Sequence, residues 1–258
     1  MDVSVVQLPK SLQPYHLRDN VVVVFDVLRA TTTMAAALAA GVSEIRIFGD
    51  TAAARDAAAK DGGPRLLCGE EHCLPPAGFD LGNSPGAFSR DLHAGRTVYM
   101  STTNGTRAIV AAREAPVVLT GALVNASAVA REIVGRWPDR DVTLLCAGTG
   151  GAFAKEDAIG AGAVIDALRR VTRLTLTHSE ALVTELLFKS VRADLRSALA
   201  DTPGGRNVIA AGLEPDIDFA ARLDTLDAVG VVTKEPLAVR LVDAASGPGP
   251  GAGAVRPA

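Results

Sequence analysis

The sequence predicts an α/β fold: a layered α/β/α arrangement on a mainly parallel or mixed sheet, with a more helical C-terminal part. Three observations carry this reading. Short, continuous runs rich in β-branched residues recur along the first half of the chain, as the buried strands of a parallel sheet do. Alanine-rich helical stretches fall between them. From about Val171 the strand-like runs give way to helical patterning.

The strand-like runs are 21–27, 44–48, 65–68, 96–101, 116–120 and 141–146. Between them, "DTAAARDAAAK" opens on Asp50 as a helix N-cap and ends at Gly62, and "NASAVAREIVGRW" starts near Asn125 and stops before Pro138. Residues 176–199 read as mainly helical, followed by capped turns and short helices that suit a helical lobe or lid. "VGVVTKEPLAVRLV" reads as a closing strand pair, with Pro236 favouring an edge position because it cannot donate to a ladder. The Gly, Pro and Ala tail has no periodicity and is expected to be disordered. The expected organisation is therefore a core at 1–170, a largely helical part at 171–245 packed on it, and a tail at 246–258.

A chain of 258 residues, 48% hydrophobic, can bury a full core as one large domain or two small ones in close contact. The formal charge of −3, an isoelectric point near 5.8 and seven Phe, two Tyr and one Trp supply neither the basic field nor the stacking surface that nucleic acid requires. No apolar run is long enough to span a membrane, and "MDVSVVQLPK" lacks the layout of a secretory signal. Cytoplasmic residence is expected, in keeping with three scattered cysteines that form no disulfide framework.

An anionic ligand must then be captured locally. One theme recurs three times: strand, small polar residues, then an alanine- or glycine-rich helix, in "VVVVFDVLRATTTMAAALAAG", "TVYMSTTNGTRAIVAAREA" and "VTLLCAGTGGAFAKEDAIGAGAVIDAL". Helix N-termini present unpaired amides and a positive dipole end, which suits phosphate. If the three strands run parallel in one sheet, their junctions share its carboxyl edge, where such sheets bind ligands. In the first junction Arg29 adds a fork of donors, and Thr31, Thr32 and Thr33 add hydroxyls where a single cap would suffice. In the second, Thr102, Thr103, Asn104, Gly105 and Thr106 supply similar groups.

Carboxylates near these junctions suit a hard cation beside the anion. Asp26 ends an apolar strand, where an unpaired carboxylate is costly to bury. Glu70 follows "RLLCG", Asp80 lies in "GFDLGNSP", and Glu156 and Asp157 open the helix after "CAGTGG". Magnesium uses one or two protein carboxylates and completes its octahedron with water and substrate phosphate, so Asp26, Glu70, Asp80, Glu156 and Asp157 are the candidate ligands for Mg²⁺. The structural alternatives are helix-dipole complements for Glu156 and Asp157, a turn cap for Asp80, and an ion pair with Arg29 for Asp26. A nucleophile elbow, a P-loop and a full dinucleotide fingerprint are absent, Asp26 lacks the second Asp of an Asp-x-Asp phosphatase, and "CGEEHC" fits no standard zinc spacing.

Taken together, "DVLRATTTMAAAL", "CGE" followed by "GFDLGNSP", "TTNGTRAI", "LVNASAVA" and "CAGTGGAFAKEDAIGAGAVIDAL" resemble the 2-phosphosulfolactate phosphatase family in their order, with a looser match through "DIDFAARLD". The resemblance implies a Mg²⁺-dependent hydrolysis of a small sulfonated phosphate monoester, 2-phosphosulfolactate, to sulfolactate and phosphate, a step of coenzyme M biosynthesis. It carries the acids above onto Asp26, Glu70, Asp80, Glu156 and Asp157. It places anion binding at Arg29, Thr31 to Thr33, Asn83 and Thr102 to Thr106. Asp26, Arg29 and Glu156 are the expected catalytic groups. Glu71 and His72 stand where many relatives carry a basic residue, and Lys155 where an apolar one is usual, which bears on substrate identity. A different small phosphate ester, or a binding protein that keeps the anion cradle without hydrolysis, stay open as alternatives. A homo-oligomer also stays open, with no interface legible.

Overall fold

A computed structural model describes residues 1–242, so the expected tail lies outside the described residues. The strands are β1 (Asp2–Val6), β2 (Val21–Phe25), β3 (Glu44–Ile47), β4 (Arg65–Gly69), β5 (Thr97–Ser101), β6 (Val117–Gly121), β7 (Val142–Cys146), β8 (Thr175–Leu176), β9 (Gly230–Lys234) and β10 (Leu237–Leu241). They form one mixed sheet in the order β4-β5-β3-β10-β9-β6-β2-β7-β1-β8. The helices are α1 (Pro14–Leu17), α2 (Ala30–Ala39), α3 (Thr51–Ala59), α4 (Arg90–His93), α5 (Gly105–Ala112), α6 (Ala126–Arg136), α7 (Lys155–Val171), α8 (Ser179–Val191), α9 (Leu195–Ala200), α10 (Pro203–Ala210) and α11 (Glu214–Ala220). None is long and apolar enough to cross a membrane.

The central strand β2 shows why the layers form. Its five residues are fully buried, and alternation sends Val21, Val23 and Phe25 into one apolar cluster and Val22 and Val24 into another. The first cluster includes residues of α6, α7 and α8, and the second includes residues of α2 and α5. The expected strands and the two expected helices are present: Asp50 caps α3 by accepting from the Ala53 amide at 2.8 Å, and α6 ends at Arg136. β1 went unanticipated; Val3 and Val5 are buried where it lies parallel to β7.

Close approach in the helical layer depends on two glycines of α7. A Cβ on Gly160 would lie 2.6 Å from Val27 Cγ2, and one on Gly162 would lie 2.4 Å from the Thr184 carbonyl. At these two positions α7 adds no side chain of its own, which leaves room for Val27 and Phe25 on one side and for α8 on the other.

Two expectations about the sheet need correction. The β9–β10 hairpin is not at an edge but in the middle, antiparallel to β6 on one side and β3 on the other. Pro236 is compatible with this because it sits in the turn, where its missing N–H costs the ladder nothing, and Thr233 donates to its carbonyl at 2.9 Å. The three antiparallel pairings also reverse the sense of β3, β4 and β5 relative to β6, β2 and β7. The three polar junctions therefore do not share one edge through parallel strands. Twist of about 20–25° per strand, over the steps from β5 to β2, turns β5 by roughly 100–125°. α5 then packs back onto β2, which brings its N-terminus to Asp26.

The hairpin is fastened to β3 by Glu44, whose Oε2 accepts from Arg240 Nη2 at 2.6 Å while Oε1 accepts from Arg46 Nε at 2.7 Å. Burial alone would raise the Glu44 carboxyl, but the hydrogen bonds and charges of Arg240 and Arg46 hold it below the usual value. A depressed carboxyl stabilises the fold above its unfolded-state pKa and loses that contribution as pH falls through the folded one. We expect Glu44→Gln to cost about 1 kcal/mol at neutral pH, limited by the solvent-exposed guanidiniums. Urea denaturation of both proteins across pH should show the gap closing below the ordinary glutamate range; a gap that persists there would rule out the charge as its source.

Candidate active site

β2 ends at Phe25, and the next residue, Asp26, is buried at the start of the turn into α2. The threonine run shapes this turn. The Asp26 amide donates to Thr31 Oγ1 and that hydroxyl donates to the Asp26 carbonyl, both at 3.0 Å. Thr32 donates to the Val27 carbonyl at 2.8 Å and Thr33 to the Asn83 carbonyl at 2.9 Å. All three side chains are buried, and their protons are committed to backbone carbonyls. Thr31, Thr32 and Thr33, expected to bind an anion, here spend their hydroxyls within the protein, shaping the turn that carries Asp26 and Arg29.

The second junction divides in the same way. Thr102 and Thr106 are buried and bonded to each other, the Thr106 amide donating to Thr102 Oγ1 at 3.2 Å and Thr106 Oγ1 to the Thr102 carbonyl at 2.7 Å. They brace the first turn of α5 and are not part of the cleft lining. Thr103 and Asn104 do face the cleft. The Thr103 amide donates to Glu70 Oε1 at 3.0 Å, and Asn104 Oδ1 accepts from the Gly150 amide at 3.4 Å. Gly105 has no alternative: a Cβ there would lie 2.6 Å from Ala30 Cβ and 2.8 Å from Asp26 Oδ2.

At the third junction Asp157 is a staple. Its Oδ1 accepts from the Val27 amide at 2.8 Å and its Oδ2 from the Gly148 amide at 3.0 Å, joining the turns that follow β2 and β7. Glu156 lies under the first turn of α10: Thr149 donates to its Oε1 at 3.4 Å, and a Cβ on Gly204 would lie 2.0 Å from that oxygen. Its Oε2 is buried with no hydrogen-bond partner.

Asp80 does not join the other acids. It is exposed, and its Oδ2 accepts from the Leu67 amide of strand β4 at 2.7 Å, so it serves the free side of an edge strand. Asn83 does reach the cleft, with a buried Oδ1 that lacks a partner. Arg29 also lines the cleft and is nearly inaccessible. Its Nη1 donates to Asp216 Oδ2 at 2.6 Å and to Ser84 Oγ at 3.2 Å. Asp216, Ser84, Thr149, Gly204 and Asn207 were missed as site residues. Ser84 and Thr149 lie inside the "GFDLGNSP" and "CAGTGG" stretches and Asp216 opens "DIDFAARLD", while no local pattern marks Gly204 or Asn207.

The resulting cleft encloses about 460 Å³. Its chemistry is dominated by buried negative charge. The Asp26 carboxyl is pushed up to about 7 by burial and by the charges of Glu70 and Glu156, against the lowering effect of the Ala30 and Gly105 amides. Burial also raises Glu156, and burial with the charges of Asp26 and Glu156 raises Asp157 well above the ordinary range. Glu70 differs: burial would raise it, but the Thr103 and Cys73 amides, the Thr103 hydroxyl and Arg29 hold it below the usual value.

This donor set fits a hard divalent cation. Asp26 lines the cleft, its Oδ1 accepting the Ala30 amide at 3.2 Å, and Glu156 lies buried beneath Thr149 and Gly204 of the lining with one oxygen unpartnered; both oxygens of Asp157 and of Glu70 accept amides. Among the described residues no three His, Cys, Asp or Glu side chains gather closely enough to cage an ion alone. The fit is therefore to an ion that takes few protein ligands and keeps places for water and substrate, as Mg²⁺ does.

Comparison with known proteins agrees with this geometry. The family model described as 2-phosphosulpholactate phosphatase matches residues 6–235. A protein of Microcystis aeruginosa named probable 2-phosphosulfolactate phosphatase is 32% identical, covering 93% of this chain and 100% of its own. Relatives of the same name from a Synechococcus strain and from Gloeobacter violaceus are 39% and 40% identical, covering 90% and 89% of this chain and 95% and 94% of theirs. The convergence of the three junctions, and a match along nearly the whole length, place this chain in the 2-phosphosulfolactate phosphatase family.

Proposed function

We propose that this chain is a Mg²⁺-dependent phosphatase that hydrolyses 2-phosphosulfolactate to 3-sulfolactate and inorganic phosphate in the cytoplasm, a coenzyme M biosynthesis-type reaction. The observation that carries the metal requirement is the charge of the cleft. A phosphate ester entering it meets Arg29, already paired with Asp216, against the carboxylates of Asp26, Glu70 and Glu71. That balance opposes an anion unless a cation accompanies it.

Asp26 and Glu156 would hold the ion, with Glu70 adding to the negative wall. When bound, magnesium supplies positive charge to phosphoryl oxygens and to a bound water. The protein's own groups do the rest. Arg29 offers its guanidinium edge to the phosphoryl oxygens, where charge is spread in the transition state. The first turn of α5, at Thr103 and Asn104, presents the positive end of its dipole to the same cleft. Water oxygen bonds to phosphorus as the ester P–O bond breaks, and the departing alkoxide takes a proton to give the hydroxy acid.

Three outcomes check this reading. Phosphate release from 2-phosphosulfolactate and a panel of small phosphate esters is expected to be fastest with 2-phosphosulfolactate, to stop with EDTA and to return with Mg²⁺. Tight binding without release would show a binding protein instead, and a faster ester would reassign the substrate. Asp26→Asn is expected to slow turnover about 100-fold or more, with an unchanged or raised Tm because it removes a charge that burial disfavours. Normal turnover by that variant at saturating Mg²⁺ would remove Asp26 from the mechanism. Gly105→Ala forces Ala30 or Asp26 to move, so we expect about 1–3 kcal/mol of destabilisation and a turnover loss of about tenfold or more, read by urea denaturation and phosphate release.

A further inference from the structure

We propose that Asp216, bridged by Ser84, is a positioning residue for Arg29, and that its charge restrains the guanidinium from gripping ground-state phosphate too tightly. This rests on the reading above in which Arg29 receives the phosphoryl group.

Three chain segments meet at this point. Arg29 Nη1 donates to Asp216 Oδ2 at 2.6 Å and to Ser84 Oγ at 3.2 Å, while Ser84 Oγ donates to the same Asp216 oxygen at 2.8 Å. Arg29 Nη2 donates to the Cys73 carbonyl at 2.5 Å. The ion pair is buried on both sides, at 3% and 7% side-chain exposure. An arginine so held loses the rotamer freedom that a surface arginine keeps, and it does so on the lining of the cleft, with Nε and one Nη2 hydrogen outside these three bonds.

The charge has a second consequence. A buried guanidinium without a counter-ion would be a strong site for any phosphate, substrate and product alike. With Asp216 at 2.6 Å, much of that attraction is already satisfied in the resting protein. Uniform binding of ground and transition states does not raise turnover, whereas correct orientation does. The triad therefore favours orientation over affinity. It also gives the C-terminal helices a part in the chemistry, since α11 brings Asp216 across 187 residues of sequence to Arg29.

The test uses Asp216→Asn, which keeps the shape and removes the charge. We expect kcat to fall roughly 10- to 100-fold from the loosened geometry. We also expect the Kd of inorganic phosphate, measured by calorimetry on the Mg²⁺-loaded protein, to tighten about threefold or more as the cation is released from its partner. Ser84→Ala should lower kcat in the same direction by a smaller factor, and it serves if Asp216→Asn does not fold. A loss of kcat that only tracks the folded fraction, with KM and phosphate Kd unchanged in both variants, would reduce the triad to scaffolding. The phosphate measurement needs no turnover, so a wild-type protein that hydrolyses no ester would refute the proposed function while still testing this restraint.

Discussion

The site depends on a buried acid whose two oxygens both accept backbone amides. Asp157 accepts the amide after β2 with one oxygen and the amide after β7 with the other, so two neighbouring strand ends are held in one arrangement from the N-terminus of α7. An unpaired carboxylate in this position would cost several kcal/mol. Two backbone donors reduce that cost without cancelling it, since burial and the charges of Asp26 and Glu156 still raise this carboxyl.

Around that staple the protein gathers acids whose ionisation burial disfavours. Glu70 and Glu156 act on Asp26 through a poorly solvated interior, and the Arg29 guanidinium, which lowers Glu70, is also paired with Asp216. Such an arrangement is unfavourable in isolation. It is the kind of local penalty that folded proteins retain at functional sites and offset elsewhere, here in a sheet whose central strand is fully buried on both faces. The helices after α8 are part of this compensation. α11 supplies Asp216 to Arg29, and Gly204, the second residue of α10, lets its backbone lie directly on Glu156.

The sheet shows how the same ingredients can be joined by a path that pattern reading does not foresee. A proline between two strand-like runs suggested an edge, yet the hairpin turn absorbs it and the pair sits between β3 and β6. The resulting reversal of half the sheet should have scattered the polar junctions. The packing of α5 on β2, and the close approach of Gly105 to Ala30 and Asp26, bring the first two together instead.

From the sequence alone one could establish the layered α/β class, the strands at the core, and the acids and donors at three helix starts, because each rests on residues within a few positions of one another. Periodicity, capping and the cost of an apolar strand ending in Asp26 are local. The sequence could not say which of those polar groups remain free. Thr31, Thr32 and Thr33 look like donors to a ligand until the carbonyls of Asp26, Val27 and Asn83 are seen to take them, and Asp80 looks like a metal ligand until it is found on the Leu67 amide. Only the tertiary structure decided this, since a hydrogen-bonding group is spent or available according to what lies within about 3 Å of it. For Arg29 that neighbour comes from the far end of the chain.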